Sequence, residues 1–188
     1  MNIKIKNNYF VLGGCRSGKS SHALSIANNI KCKNKYFIAT LKPYDKEMEQ
    51  RVLSHQKQRD KSFITIEETE DIVLRIKEND SIDSLFLIDC LTLWITNLIL
   101  NNKNTDVFLE VEKLINSIKE IKARLIFVSN EVGCGIVPEN QLARQFRDIA
   151  GFVNQKMAKT IENVVWMVAG IPIIIKDNNK RVLQANML

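Results

Sequence analysis

No stretch of the 188-residue sequence stays apolar long enough to span a membrane. The greasiest segment, Leu85 to Leu100, is broken by Asp89, Thr92, Thr96 and Asn97. The opening Met1-Asn-Ile-Lys-Ile-Lys has neither an apolar signal core nor a cleavage site, so the expectation is a cytoplasmic protein. No two of the four cysteines (Cys15, Cys32, Cys90, Cys134) form a C-x-x-C, and only His22 and His55 are available to help them. That argues against a structural zinc site and for isolated free thiols in a reducing compartment. Also missing is a dense basic run interleaved with aromatics. Lys and Arg outnumber Asp and Glu 27 to 21, but they are spread along the chain. The excess of +6 then fits a solvated surface or small anionic substrates such as nucleotides, and no nucleic-acid partner is expected. Internal repeats, low-complexity tracts and long linkers are absent as well, so residues 1–188 read as one domain with a sizeable core.

What is present alternates between strand and helix. Short apolar runs at Tyr9–Leu12, Tyr36–Ala39, Leu85–Ile88, Leu125–Val128, Val164–Ala169 and Ile173–Ile175 read as buried strands. Helical patterns fall at Ser20–Asn29, Asp45–Arg59, Thr69–Lys77, Leu91–Leu100, Val107–Ile121 and Pro138–Asn163. Continuous apolar strands between helices predict an α/β fold, a mostly parallel central sheet flanked by helices. The tail 176–188 reads as an edge strand or a loose end.

Gly13-Gly14-Cys15-Arg16-Ser17-Gly18-Lys19-Ser20 matches G-x-x-x-x-G-K-[ST] between a strand and a helix. Its chemistry is phosphate binding. Glycines let backbone N–H groups wrap a phosphate, and the helix N-terminus adds partial positive charge. Lys19 suits the β- and γ-phosphates of ATP or GTP, and Ser20 suits Mg²⁺. Asp89, directly after an apolar strand, reads either as the partner carboxylate for that Mg²⁺ or as the cap of the next helix.

Ligands of open parallel sheets bind beyond the carboxyl ends of the strands. That rule selects the phosphate loop, Thr40, Asp89 and Ser129-Asn130-Glu131. The following Val132-Gly-Cys-Gly-Ile-Val-Pro138 reads either as a close approach to a ligand or as a plain turn. Arg51, His55 and Arg59 share one face of the Asp45–Arg59 helix. His55 there is either a solvated surface histidine or, between two arginines that favour neutral imidazole, a nucleophile facing a polyphosphate. His22 reads as structural. Arg144 and Asp148, four apart, read as a surface or interface pair.

Taken together the motifs resemble the bifunctional adenosylcobinamide kinase/adenosylcobinamide-phosphate guanylyltransferases. The matching pieces are Gly13–Ser20, Arg51-Val-Leu-Ser-His55, Thr65-Ile-Glu67, Asp89-Cys-Leu-Thr-Leu-Trp94 and Ser129–Pro138. They continue through Asn140, Ala143-Arg144, Phe146-Arg-Asp148, Gly151 and Asn154-Gln155, and close with Ala169-Gly-Ile-Pro172 and Lys176. The phosphate loop is common to many families, whereas the Asn130–Gln155 block is far more specific. Phe63 stands where the family often has tryptophan. The resemblance implies a RecA-like phosphate-loop fold, a homotrimer, and two activities. The first is phosphorylation of adenosylcobinamide. The second is transfer of GMP from GTP through a guanylylated histidine, which by position is His55. It also implies that Arg51, Arg59, Glu67 and Asp89 join the phosphate loop in holding nucleotide. Two other classes fit the loop alone: another small-molecule kinase, which needs no histidine nucleophile, and a RecA-like nucleotide-gated binding module, which would retain DNA in a salt-dependent way.

Overall fold

The computed structural model describes residues 7–41, 62–101 and 106–182. The expected helix at Asp45–Arg59 lies outside them, and with it Arg51, His55 and Arg59.

Among the described residues eight strands form one sheet, in the order β3-β2-β4-β5-β1-β6-β7-β8. Six are parallel: β1 (Tyr9–Gly13), β2 (Asn34–Ala39), β3 (Phe63–Glu67), β4 (Ser84–Asp89), β5 (Arg124–Asn130) and β6 (Asn163–Val168). The last two, β7 (Ile171–Asp177) and β8 (Lys180–Arg181), run antiparallel. The helices are α1 (Lys19–Asn29), α2 (Ile72–Glu78), α3 (Leu91–Asn101), α4 (Val107–Glu120) and α5 (Gln141–Thr160).

Alternation along the strands divides the core in two. Phe10, Leu12, Phe86, Ile88, Leu125 and Phe127 point to one face, where Ile72, Trp94, Leu114 and Val153 of α2 to α5 cover them. Val11, Leu85, Leu87, Ile126 and Val128 point to the other, where Ala23 and Ala27 of α1 pack. Strands buried on both sides are why the sequence shows unbroken apolar runs rather than alternation.

Side-chain caps set several boundaries. Asp71 accepts from Leu74 N, so α2 begins at Ile72 rather than at Thr69. Asn140 accepts from Ala143 N, so α5 begins at Gln141 rather than at Pro138. One strand escapes the apolar-run reading: in Phe63–Glu67 only Phe63 is buried, since β3 is the sheet's edge. The antiparallel end is made by two tight hairpins. Ala169 and Gly170 have φ of 51° and 83°, and Asn178 and Asn179 have 45° and 67°. Positive φ at both central residues matches the right-handed twist of the strands.

Candidate functional site

Because β1 to β6 are parallel, their carboxyl ends share one edge of the sheet. Glu67, Ala39, Asp89, Asn130, Gly13 and Val168 end the six strands in that spatial order. The phosphate loop leaves this edge from β1. Gly18 takes a left-handed φ of 89° at the cap of α1, which has no side-chain cap and no acidic residue in its first turn. The orphan N–H groups of that turn are therefore left for a ligand. Gly13 has no room for a side chain. A Cβ there would run into Ser17 Oγ and come within 2.9 Å of the Met167 carbonyl. Ser17 Oγ is itself buried, with no hydrogen-bond partner among the described residues. Lys19 Nζ donates to the carbonyl of Gly14 at 3.2 Å, and Lys19 and Ser20 are both half-buried. Cys15 and Arg16 are exposed at the tip.

Two neighbours brace the loop. The N–H of Gly170, in the β6–β7 hairpin, donates to the Ser17 carbonyl at 3.1 Å. The N–H of Glu131 donates to the Gly13 carbonyl, also at 3.1 Å. The hairpin brace was not read from the sequence; Ala169-Gly170 between two apolar runs is the signal that carried it.

Asp89 stands at the end of β4, two strands from β1. The N–H of Trp94 donates to the Cys90 carbonyl at 3.2 Å, so Cys90, not Asp89, occupies the cap position of α3. The Cys90 thiol is pushed up to about 11, first by burial and then by the Asp89 charge; bonds from Thr92 and the Leu93 N–H and the charge of Lys19 pull the other way. The shift keeps the thiol protonated at neutral pH, and the charges of Asp89 and Lys19 both act on it. All four cysteines are free thiols. Glu67 is exposed at the end of β3, level with Ala39 and four strands from β1. No group of three or more His, Cys, Asp or Glu side chains among the described residues is placed to hold a metal. One hydroxyl and one carboxylate suit a Mg²⁺ that keeps waters and arrives with phosphate.

The segment after β5 owes much of its sequence to architecture. Ser129 Oγ donates to Asn154 Oδ1 at 2.8 Å, and Asn154 Nδ2 donates to the Asn130 carbonyl at 3.1 Å. Asn130 Nδ2 donates to Thr92 Oγ1 at 2.8 Å, which ties β5 to α3. Arg147 donates to the Gly133 carbonyl, and Arg144 to the carbonyls of Pro138 and Glu139. Arg144 thus staples the loop instead of pairing with Asp148, because those carbonyls precede the helix and lie within reach of its first turn. A Cβ on Gly133 would come within 2.9 Å of Glu131 Oε1, so a side chain there would displace that carboxylate. The tip is apolar and open, with Ile136 96% exposed. Lys176, far from this edge, caps the last turn of α5 by donating to the carbonyls of Ala158, Lys159 and Ile161.

Fold and loop together define a phosphate-loop nucleotide-binding α/β protein. The cobinamide kinase / cobinamide phosphate guanyltransferase family matches residues 9–175, and the chain belongs to that family. It is 37% identical over 166 residues to the bifunctional adenosylcobalamin biosynthesis protein CobP of Pseudomonas aeruginosa, covering 88% of this chain and 95% of that one. It is 35% identical over 179 residues to the bifunctional adenosylcobalamin biosynthesis protein CobU of Escherichia coli K12, covering 88% and 98%. Among solved structures, one from Pyrococcus horikoshii OT3 matches with a TM-score of 0.53 at 12% identity, covering 93% of this chain and 88% of that one. The assembled type III secretion ATPase EscN matches with 0.57 at 8% identity, covering 88% and 43%. At such identities the shared property is the fold. No helix among the described residues is long and apolar enough to cross a membrane.

Proposed function

We propose that the chain is an adenosylcobinamide kinase and adenosylcobinamide-phosphate guanylyltransferase of cobalamin biosynthesis. The observation that carries this is the uncapped, glycine-lined turn Gly13–Ser20 at the edge of a family-matched sheet. In the first step the acceptor hydroxyl attacks the γ-phosphorus of ATP or GTP, held by Lys19 and the backbone from Gly13 to Ser20. In the second, His55 attacks the α-phosphorus of GTP and pyrophosphate leaves. The phosphate of adenosylcobinamide phosphate then takes GMP from the histidine, giving adenosylcobinamide-GDP. A relay through His55 separates attack at the α-phosphorus from attack at the γ-phosphorus, two centres that one loop does not present to one acceptor in one pose. Arg51 and Arg59 steady the phosphates, and Glu67 meets the nucleoside end. Ser20 and Asp89 would hold Mg²⁺, which supplies neutralisation of phosphate charge.

The enzyme works in the cytoplasm as a homotrimer, with no nucleic-acid partner. A groove of 530 Å³ on α5 and α4, lined by Phe108, Arg144, Asp148, Ile149 and Phe152, supports a subunit contact there. Light scattering at micromolar concentration checks the assembly. The activity is tested by mass spectrometry after incubation with GTP: the wild-type chain gains a GMP mass, and His55→Ala loses both adduct and guanylyl transfer yet keeps kinase activity. An adduct that persists in His55→Ala moves the nucleophile elsewhere.

A further inference from the structure

We propose that the Glu131 carboxylate is the general base of the phosphoryl-transfer step, a role that rests on the kinase reading above. A site with its phosphate loop after β1 and a metal-suited carboxylate after β4 brackets the end of β5, the strand between them. Asn130 lies level with Gly13, and Glu131 follows with its N–H bonded to the Gly13 carbonyl at 3.1 Å. At strand spacings of about 4.8 Å, Asp89 is roughly 10 Å and Glu67 roughly 19 Å across the sheet from β1, whereas Glu131 is next to it. Glu68, which follows Glu67, is committed to Arg75 at 3.0 Å.

The Glu131 side chain is half-buried and oriented by its loop. Its Oε1 accepts from the Gly133 N–H at 2.8 Å, while among the described residues no donor reaches Oε2 and no Lys or Arg pairs with it. Arg147 fixes the same turn from α5 through the Gly133 carbonyl at 2.6 Å. One oxygen is thus an anchor and the other is left to accept a proton, which an ionised carboxylate does with spare lone pairs. As the acceptor oxygen bonds to the γ-phosphorus, its proton passes to Oε2. The bond from that phosphorus to the β–γ bridging oxygen breaks, and nucleoside diphosphate leaves. The proton then goes to water.

The test compares both half-reactions in one preparation. Glu131→Gln keeps an oxygen for the Gly133 N–H, so the loop stays stapled. Its kinase kcat is expected to fall about 10²- to 10⁴-fold, with the KM for ATP and the GMP adduct from GTP unchanged. The wild-type kinase rate is expected to fall on acidification along a limb that Glu131→Gln lacks. Glu131→Asp is expected to retain that limb with a reduced kcat, which also serves should Glu131→Gln fold poorly. Wild-type kcat in either variant, or equal loss of kinase activity and adduct, overturns the proposal. A wild-type chain with neither activity overturns instead the reading on which it rests.

Discussion

Thr40 and Cys90 exchange two hydrogen bonds of 2.8 Å across the ends of β2 and β4: the Thr40 hydroxyl accepts from the Cys90 N–H and donates to the Cys90 carbonyl. Asn97 Nδ2 then holds the Thr40 carbonyl at 2.8 Å. The backbone that presents Asp89 is therefore clamped from both sides in a fully buried spot. Thr40→Val keeps the shape and removes both bonds, leaving the buried Cys90 N–H unpaired and its carbonyl with the Trp94 N–H alone. A loss of about 2–4 kcal/mol in urea unfolding is expected, with a higher Mg²⁺ requirement for activity. A stability within experimental error of wild type would mean that water replaces the hydroxyl.

Asn154 does on α5 what Thr40 does just past β2. Its amide joins Ser129 and Asn130, so Asn154→Leu strands a buried hydroxyl and loosens the end of β5. Destabilisation by about 1–3 kcal/mol is expected. Both activities should fall together, because the loop braces Gly13. A variant with unchanged unfolding midpoint and unchanged rates would remove Asn154 from this role.

How much of this was legible in the sequence depended on what each residue answers to. Continuous apolar runs announced five of the six parallel strands, since burial on both faces leaves one signature. β3 stayed hidden because an edge strand with Ile64 and Thr65 exposed carries no such signature. The phosphate loop was legible because glycine spacing is dictated locally. Its braces from Glu131 and Gly170 were not, because they are backbone bonds between segments over a hundred residues apart. Chain spacing also paired Arg144 with Asp148, but nearer carbonyls took the guanidinium. Much of the family-specific Asn130–Gln155 block proves to hold a loop in place.

His22 links the phosphate-loop helix to pH. Burial on α1 lowers its pKa below the ordinary 6.5. Below its folded pKa both states carry the proton, and above 6.5 neither does. Between the two, the unfolded chain binds the proton and the folded chain does not, so stability rises with pH. The stabilisation is therefore complete above 6.5 and is lost as pH falls through the lowered folded value. Urea midpoints from about pH 7.5 to 5 should show this acid slope, and His22→Gln should flatten it. An unaltered slope in the variant would assign it to other groups.

Lys19 and Asp89 both act electrostatically on the buried Cys90 thiol, yet they should fail in different ways. Lys19 Nζ rests on the Gly14 carbonyl at 3.2 Å, within its own loop, so it is positioned to exchange that bond for phosphate oxygens. Both half-reactions need the triphosphate clamped. Lys19→Ala should therefore reduce phosphoryl transfer and GMP-adduct formation alike, by about a hundredfold or more, roughly 3 kcal/mol of transition-state stabilisation. Added Mg²⁺ should not restore either. Asp89 sits two strands away, outside the cap position of α3, so its removal leaves the helix capped by Cys90. Asp89→Ala should fold normally and shift the Mg²⁺ titration to higher concentration, with activity partly recovered at saturation. The decisive comparison is the Mg²⁺ titration of each variant beside the wild type. Retention of either activity in Lys19→Ala would mean that the two reactions do not share the loop. An unchanged titration in Asp89→Ala would place the metal elsewhere on the edge.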